Sequence, residues 1–471
     1  MRPPFMRLSL AVLTCVLVPV RQALQSQIAM FSSLPPPELI EKLSLNLHYN
    51  ILTASQPSTS PKPEILTFDN TTHILVWKFT KEQREFLKTH PSFVGIEADS
   101  IVHIAPYNGT LDTPDVEEQG SDAPSLDGSQ SGETFNALLN STQTVTQTDA
   151  PNWGLARISQ KYLPLRTDYS YPESAGEGIV AYVIDTGVNI GHTDFGGRAS
   201  WGITTVDNSV DIDDNGHGTF VAGIIGGNAY GVAKKVKIIA VKALDRNGSG
   251  TVSDILFGLQ YVIKTAKKLG NSHRSIVNLS LGTQKSTALD QAVTALVNAG
   301  IVMVAAAGNG DESGVGQDAC EFSPASARTA LTVGSTDRFD NVASFSNYGP
   351  CVNLFAPGVQ IRSTWVGSDT ATYVSSGTSF STPFAAGVMA TYMSERISQN
   401  KSAMQPADII RAITGMATSG AIHGLGSTSP NLLLYNRIDA LSTQRSAATQ
   451  EYVSQWMISS LIISYLFMLT L

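Results

Sequence analysis

From residue 178 onward, β-rich apolar runs alternate with stretches of helical periodicity, and this alternation constrains the fold more than any other feature of the sequence. The apolar runs span residues 179–184, 236–241, 276–281 and 301–306, and helical stretches lie near residues 252–267 and 287–298. Such alternation is typical of a parallel sheet covered by helices. We therefore predict an α/β fold with a mainly parallel twisted sheet and helices on both faces. Ligands of such sheets collect at the carboxyl ends of the strands.

Three short motifs carry candidate catalytic groups: Asp185-Thr-Gly, His217-Gly-Thr and the triplet Gly-Thr-Ser379. Each triplet alone is a weak signal, because turns and helix caps use the same residues. Together they place Asp, His and Ser in one chain order, which belongs to one of three unrelated ways of building the same triad. Ser379 also precedes a helix-forming stretch, whose first amides and dipole favour an oxyanion.

Each of these groups has a predicted task in cleaving a peptide bond. Ser379 is the nucleophile, His217 accepts its proton and returns it to the departing amine, and Asp185 holds the imidazole ring. Asn309 follows an apolar run and can point an amide donor at the oxyanion, although a turn in Gly308-Asn309-Gly310 is the alternative interpretation. Because His217 must lose its proton to act as a base, we expect a neutral-to-alkaline optimum.

The motifs resemble those of subtilisin-like serine peptidases, most closely the secreted fungal enzymes of the proteinase K group. The resemblance runs from about Trp153 to about Ala440, and it rests on Ala181-Tyr-Val-Ile-Asp-Thr-Gly187, Asn215-Gly-His-Gly-Thr-Phe-Val-Ala-Gly223, Asn278-Leu-Ser-Leu-Gly282, Ala306-Ala-Gly-Asn309 and Gly377-Thr-Ser-Phe-Ser-Thr-Pro383. It implies a serine endopeptidase of broad specificity that is made as a zymogen, forms an acyl-enzyme and needs no cofactor for its chemistry.

The resemblance also implies where a peptide substrate binds. A protease of wide range must hold the backbone that all peptides share, so the substrate should add as a strand between exposed edges. The resemblance places these edges at Ser280, Leu281 and Gly282 and at Gly248, Ser249 and Gly250.

Three phenylalanines depart from the family pattern. Phe220 stands where a His is frequent, Phe380 replaces the usual Met after the nucleophile, and Phe384 replaces the usual His after Pro383. They give slight support to an alternative function, a catalytically impaired cell-surface binding protein that keeps the protease fold.

The N-terminal part of the chain divides into three segments. In residues 1–25, Arg2 and Arg7 precede a short apolar run, which indicates a secretory signal peptide, with a membrane anchor as the alternative. Residues 32–106 suggest a small α+β unit that resembles the inhibitory propeptide of subtilisin-like peptidases. Residues 107–150 contain no Lys or Arg and are typical of an acidic, solvated Ser/Thr-rich linker. The peptidase domain is then predicted over residues 151–440.

Residues 441–471 form a spacer and a second apolar stretch. Small residues from Ser446 could serve as the attachment site of a glycolipid (GPI) anchor, with the tail removed. A retained membrane tail and a last helix packed on the domain are the alternatives.

Several further expectations concern modification and partners. Cys320 and Cys351 are the two cysteines outside the signal peptide, and they form either a disulfide or two free buried thiols; the resemblance favours the bridge. Secretion would make the sequons at Asn70, Asn108, Asn140, Asn247 and Asn400 candidates for glycosylation, whereas Asn278 should be buried in a strand.

The charge and the acidic residues limit the choice of ligands. A net charge of −8 without a long basic run argues against nucleic acid as a partner. Asp211, Asp213 and Asp214 offer hard oxygen ligands but lack the spacing of a calcium loop. Asn353 stands where relatives of the proteinase K group place a calcium-binding Asp, so structural calcium remains an open expectation.

Overall fold

The computed structural model describes residues 26–43, 63–104, 144–311 and 313–438 of the 471-residue chain. The predicted signal peptide, most of the acidic linker, the sequons at Asn108 and Asn140, and the C-terminal tail with Ser446 lie outside the described residues. Among the residues that are described, no helix is long and apolar enough to cross a membrane.

The described helices and strands are numbered here in chain order. The helices are α1 (residues 37–43), α2 Lys81–Lys88, α3 Trp153–Ile158, α4 His217–Gly226, α5 Val252–Leu269, α6 Thr287–Asn298, α7 Thr378–Ser398 and α8 Pro406–Met416. The strands are β1 Gln27–Phe31, β2 Glu64–Thr67, β3 His73–Trp77, β4 Phe93–Ala98, β5 Ile101–Ile104, β6 Thr144–Gln147, β7 Tyr169–Pro172, β8 Val180–Asp185, β9 Ala199–Thr204, β10 Lys237–Lys242, β11 Ser249–Thr251, β12 Ser275–Leu279, β13 Leu281–Gln284, β14 Val302–Ala306, β15 Phe322–Ser323, β16 Leu331–Thr336, β17 Leu354–Pro357, β18 Ile361–Thr364, β19 Thr372–Ser375, β20 Thr418–Ser419 and β21 Leu432–Leu433.

Nine strands form the central sheet, in the order β20-β21-β17-β16-β14-β12-β8-β10-β9. All neighbours from β21 to β9 pair in parallel, and only the edge strand β20 runs antiparallel to β21. The predicted mainly parallel sheet is therefore confirmed.

Helices cover both faces of this sheet, and strand β8 shows how the sequence divides between the two cores. Ala181 and Val183 pack with α3, α4, α7 and α8, whereas Tyr182 and Ile184 pack with α5 and α6. Since successive side chains of a strand point to opposite faces, an uninterrupted apolar run is required for a strand that is buried on both sides.

Local signals fix the ends of the covering helices. Helix α5 begins with a capping box between Thr251 and Asp254, and it ends at Gly270, whose φ of +63° is the left-handed conformation that glycine adopts without penalty. Helix α6 begins at the N-cap Ser286, whose side chain accepts from the amide of Leu289.

The described N-terminal residues fold as the predicted α+β unit, but strand β1 precedes residue 32, where the sequence analysis placed the start of the unit. Its four antiparallel strands follow the order β2-β3-β1-β4, and α1 and α2 contribute Leu39, Leu43 and Leu87 to a small core on one face. The following strand β5 leaves this unit and joins the larger domain.

Two local assignments differ from the sequence prediction. The apolar run 276–281 is divided into β12 and β13 at Ser280, and β13 pairs with strands outside the central sheet. Residues 144–147, inside the predicted linker, form strand β6 against β7, because the β-branched Thr and Val side chains favour extended backbone.

Candidate active site

The carboxyl end of strand β8 and the amino end of helix α4 bring Asp185 and His217 together. Asp185 is the last residue of β8 and is fully buried, and His217 is the first residue of α4. A side chain at Gly218 would meet the carbonyl oxygen of Gly187 at 2.0 Å. The helix can approach the strand end this closely because the residue after His217 is glycine.

The imidazole of His217 is oriented by the Asp185 carboxylate. Its Nδ1 lies 2.8 Å from Oδ1 and 3.0 Å from Oδ2 of Asp185. Because a carboxylate only accepts, Nδ1 must carry the proton, and Nε2 of the neutral ring then offers its lone pair. The backbone amide of Thr186 also donates to Asp185 Oδ1 at 2.7 Å, which fixes the carboxylate in this position.

Ser379 lies in the first turn of α7 and is almost completely buried. Its hydroxyl donates to the carbonyl oxygen of Ser280 at 3.1 Å, and the Ser280 hydroxyl donates to the carbonyl oxygen of Ser379 at 2.7 Å. This reciprocal pair ties the start of α7 to the break between β12 and β13. The proton of the Ser379 hydroxyl thus points at the Ser280 carbonyl in this structure.

Asn309 follows β14 and lies beside the amino end of α7. Its Oδ1 accepts from both the amide and the hydroxyl of Thr378 at 2.8 Å. Its Nδ2 lies on the Gly377 side, 3.1 Å from the point that a Cβ of Gly377 would occupy. The two hydrogen bonds fix the amide plane next to the residue that precedes Ser379.

A layer of aromatic rings flanks the imidazole. Phe380 lies 5.5 Å from the His217 ring and 4.4 Å from the Phe220 ring, measured between centroids. Phe220 in turn meets Trp365 edge-on, and Trp365 packs on Tyr373. Two of the three departures from the family pattern are thus neighbours of His217, whereas Phe384 is buried in the core below α3.

Strand β5 occupies the two predicted substrate-binding edges. Its residue His103 pairs with Ser249 of β11 on one side and with Gly282 of β13 on the other, antiparallel to both. The amide of Ile104 donates to the carbonyl oxygen of Gly248 at 2.9 Å. Gly248 has a φ of +71°, and a side chain there would meet the Ile104 side chain at 2.7 Å. These edges accept a third strand through their backbones.

The segment that carries β5 is also held by two carboxylates that the sequence did not single out. Glu97 accepts from the Ser286 hydroxyl at 2.5 Å and from the amide of Thr287 at 3.0 Å, at the start of α6. Asp99 accepts from the amide and hydroxyl of Ser253 at 2.9 and 2.7 Å, at the start of α5. Both helices therefore meet an acidic side chain at the positive end of their dipoles.

The acidic loop considered for calcium is engaged by donors of the protein itself. Asp213 accepts hydrogen bonds from the hydroxyls of Thr186 and Thr219 and from the amides of Asn215, Gly216 and Thr219. With both oxygens used in this way, this carboxylate does not fit the role of a metal ligand.

The two neighbouring aspartates are engaged as well. Asp214 pairs with the buried ammonium of Lys242 at 2.7 Å, and Asp211 accepts from the Thr204 hydroxyl. Within the described ranges, no group of three or more His, Cys, Asp or Glu side chains is placed to hold a metal ion. At Asn353, the side chain accepts from the amide of Thr332.

The remaining predicted positions lie away from the centre. Cys320 and Cys351 are joined by a disulfide with a Cα–Cα distance of 5.3 Å. Asn70, Asn247 and Asn400 are exposed, as glycan acceptors must be, and Asn278 is buried in β12 as expected.

The chain is similar to several known proteins. A model of the subtilase family matches residues 176–432. The subtilase-type proteinase psp3 of Schizosaccharomyces pombe is 45% identical over 296 residues, which cover 62% of this chain and 64% of that protein. The subtilisin-like serine protease Rho m 2.0101 of Rhodotorula mucilaginosa is 44% identical over 313 residues, which cover 64% of this chain and 90% of that protein.

The fold is also similar to that of a solved structure. A cold adapted subtilisin-like serine proteinase superposes with a TM-score of 0.55 at 44% identity, covering 60% of this chain and 97% of that one. Of the two curated relatives, the match thus spans slightly less than two thirds of psp3 and most of the Rhodotorula protein.

Proposed function

Because the chain belongs to the subtilase family, we propose that it is a serine endopeptidase in which Ser379, His217 and Asp185 form the catalytic triad. The observation that carries the proposal is that Asp185 orients the imidazole of His217. Phe380, the residue after Ser379, packs against that ring, and Thr378, the residue before Ser379, binds Asn309. A nucleophile, an oriented base and an amide donor at one place are what acyl transfer requires.

The geometry supports a two-step reaction. The Ser379 oxygen attacks the peptide carbonyl while its proton moves to Nε2 of His217, and Asp185 stabilises the imidazolium that forms. The oxyanion of the tetrahedral intermediate takes hydrogen bonds from Nδ2 of Asn309 and from the first amides of α7. The intermediate then expels the amine, which receives the proton from Nε2, and leaves an acyl group on Ser379. Water then attacks the acyl group while its proton moves to Nε2 of His217. The second tetrahedral intermediate releases the carboxylic acid, and the proton returns to the Ser379 oxygen.

Substrate recognition through the backbone supports broad specificity. A peptide that replaced β5 would pair with Ser249 and Gly250 on one side and with Leu281 and Gly282 on the other. Such pairing uses backbone groups that every peptide carries and provides most of the affinity. The side chains of the substrate then determine which peptides are preferred.

We further propose that residues 32–106 act as an inhibitory propeptide of a zymogen. The support is that β5 fills the strand position that a substrate would need, while Glu97 and Asp99 bind the starts of α6 and α5. These charge-assisted hydrogen bonds at two helix ends strengthen the binding of the inhibitory segment, in addition to the backbone pairing of β5.

An active-site probe tests the catalytic proposal. The processed wild-type protein should be labelled by a fluorophosphonate, and the Ser379→Ala variant should not. A correctly processed wild type that stays unlabelled would favour the alternative, a surface binding protein that has kept the fold and lost its chemistry.

The zymogen proposal has its own test. In the full chain, Glu97→Ala combined with Asp99→Ala should speed the appearance of peptidase activity after secretion, because both helix contacts are lost. Glu82→Ala combined with Glu85→Ala is the matched control, since both residues lie on the exposed side of α2. Equal activation times for the two double variants would count against inhibition by this segment.

We propose secretion followed by attachment at the cell surface through a lipid anchor near Ser446. The exposed sequons and the disulfide support an extracellular location, and the anchor rests on the sequence of residues 441–471 alone. Mass spectrometry of the mature termini tests it, because a C-terminus at Leu471 excludes cleavage of the tail.

A further inference from the structure

A cavity lies away from the catalytic centre, beside the loop that leads into the amino end of β12. Its volume is about 410 Å³, within the range of small-molecule sites. Residues 270–274, the last turns of α7, residues 400–404 and the first turn of α8 line it. The catalytic groups lie at the carboxyl ends of the strands, so the peptidase reaction does not use this cavity.

Four apolar side chains form one part of its lining. Met393 and Ile409 are buried, and Ile397 and Met404 are half-buried. Two flexible thioethers and two branched chains give an adaptable aliphatic surface, which favours a ligand with a hydrocarbon part.

Cationic side chains form the other part. Arg274, Arg396 and Lys401 line the cavity together with His273, and no Asp or Glu is among the lining residues. The nearby carboxylates are engaged elsewhere, since Glu395 accepts from Gln399 and Asp408 pairs with Arg411. In a chain with a net charge of −8, such a concentration of positive charge indicates an anionic ligand.

Arg396 is the cation of this group that a backbone contact holds in place. Its Nη2 donates to the carbonyl oxygen of Ser402 at 3.2 Å, whereas its Nε is buried and has no hydrogen-bond partner among the described residues. One backbone bond therefore orients the guanidinium, and its positive charge lies in the wall of the cavity.

Helix dipoles do not cancel this positive charge. Helices α5 and α7 end at the cavity, and each C-terminus contributes roughly half a negative charge. The three cations Arg274, Arg396 and Lys401 outweigh the combined negative charge of these two helix ends.

We infer that this cavity binds an aliphatic carboxylate, with the carboxylate on Arg396 and Lys401 and the hydrocarbon on Met393, Ile397, Met404 and Ile409. A medium-chain fatty acid and the C-terminus of an apolar peptide share this chemistry. The site is independent of peptide hydrolysis, so its test does not depend on the proposed activity.

Calorimetric titration of the full secreted chain tests the inference. The background carries Ser379→Ala against proteolysis and Ser402→Ala, which removes the sequon at Asn400 but keeps the carbonyl that Arg396 binds. Decanoate should bind saturably at one site, whereas acetate and decanol should bind far more weakly, since each lacks one half of the ligand. N-acetyl-Leu-Leu with a free carboxylate represents a peptide C-terminus and is titrated in the same way. Whichever of decanoate and this dipeptide binds more tightly shows whether the site prefers a fatty acid or a peptide C-terminus.

Variants then locate the site. Arg396→Gln should weaken decanoate binding by about tenfold or more, because a charge-assisted hydrogen bond is lost, and Lys401→Gln should weaken it by a smaller factor. Arg338→Gln removes an exposed arginine outside the cavity and should leave binding unchanged. The absence of saturable binding, or equal binding by the Arg396→Gln and Arg338→Gln proteins, would overturn the inference.

Discussion

At the scale of single residues, Asn309 connects two parts of the candidate site through one amide group. Its oxygen is fixed by Thr378, the residue before the nucleophile, and its nitrogen lies beside Gly377. An oxyanion donor is effective when it is already oriented before the charge develops, because no reorganisation is needed during the reaction. The two bonds from Thr378 provide that orientation.

Asn309→Ala should therefore lower turnover roughly a hundredfold to a thousandfold while KM changes little. This magnitude is the one known for the equivalent asparagine of subtilisin, a relative of this chain. Steady-state kinetics, normalised to fluorophosphonate-reactive sites, measure the effect. Thr378→Val is the matched control, because the Thr378 amide still holds Oδ1, and its loss should be less than tenfold. A turnover of Asn309→Ala within threefold of wild type would refute the assignment.

At the scale of elements, helix α4 places His217 but has no cap of its own. Its N-cap Gly216 has no side chain, and Asp213 accepts instead from the amides of Gly216 and Thr219 and from the Thr219 hydroxyl. Asp213 also accepts from the hydroxyl of Thr186, next to Asp185. One carboxylate thus connects the strand end that carries Asp185 with the helix that carries His217.

Asp213→Ala should lower the free energy of unfolding by about 3 kcal/mol, because several buried donors lose their acceptor at once. The thermal midpoint of the Ser379→Ala background, which cannot digest itself, measures the change. Asp211→Ala in the same loop should cost less than about 0.5 kcal/mol, since that residue is exposed. Similar losses for both variants would show that Asp213 has no special role.

Sequence reasoning located the elements whose signals are local. The apolar run of β8 with the motif after it gave the position of Asp185, and the helical periodicity before Asn298 gave α6 with its observed bounds. The subtilisin-like family was likewise recognised from motifs and is confirmed by the family match. In these cases the residues that determine the structure are adjacent in the chain.

Features that depend on distant residues were not predictable in this way. Ser280 lies inside the run 276–281, and the division of that run at Ser280 coincides with hydrogen bonds to Ser379, 99 positions away. Glu97 and Asp99 look like ordinary surface acids until the fold brings them to the starts of α6 and α5. The roles of these residues can be identified only from their contacts in the folded structure.

At the scale of the whole molecule, the disulfide links two loops that lie 31 positions apart. Closing a loop of this length restricts the unfolded chain and is worth about 3.5 kcal/mol in the entropy treatment. The double variant Cys320→Ser, Cys351→Ala should therefore lower the thermal midpoint by roughly 5–10 °C. A reductant should produce a similar fall in the parent protein and none in the double variant. An unchanged midpoint would mean that the bridge adds no stability.

We expect Lys234 to make the stability of the domain depend on pH. Its Nζ donates to the carbonyl oxygens of Asn228 at 2.8 Å and Gly231 at 3.0 Å, and it lies 5.5 Å from the ring centroids of Tyr169 and Tyr171. Burial lowers the pKa of this ammonium to about 7, since desolvation outweighs the attraction of the nearby Asp194. In the unfolded chain the pKa of a lysine is about 10.4.

Between pH 7 and 10, therefore, the unfolded chain keeps a proton that the folded chain releases at Lys234. Stability rises with pH wherever the unfolded state binds more protons, so this residue adds a positive slope to the free energy of unfolding across that window. Lys234→Gln keeps a neutral donor for the carbonyls and should remove the contribution. Unfolding measured at several pH values in the Ser379→Ala background should give a smaller slope for this variant, and Lys235→Gln, at an exposed neighbour, should retain the parent slope. Equal slopes for all three proteins would show that Lys234 remains protonated in the folded domain.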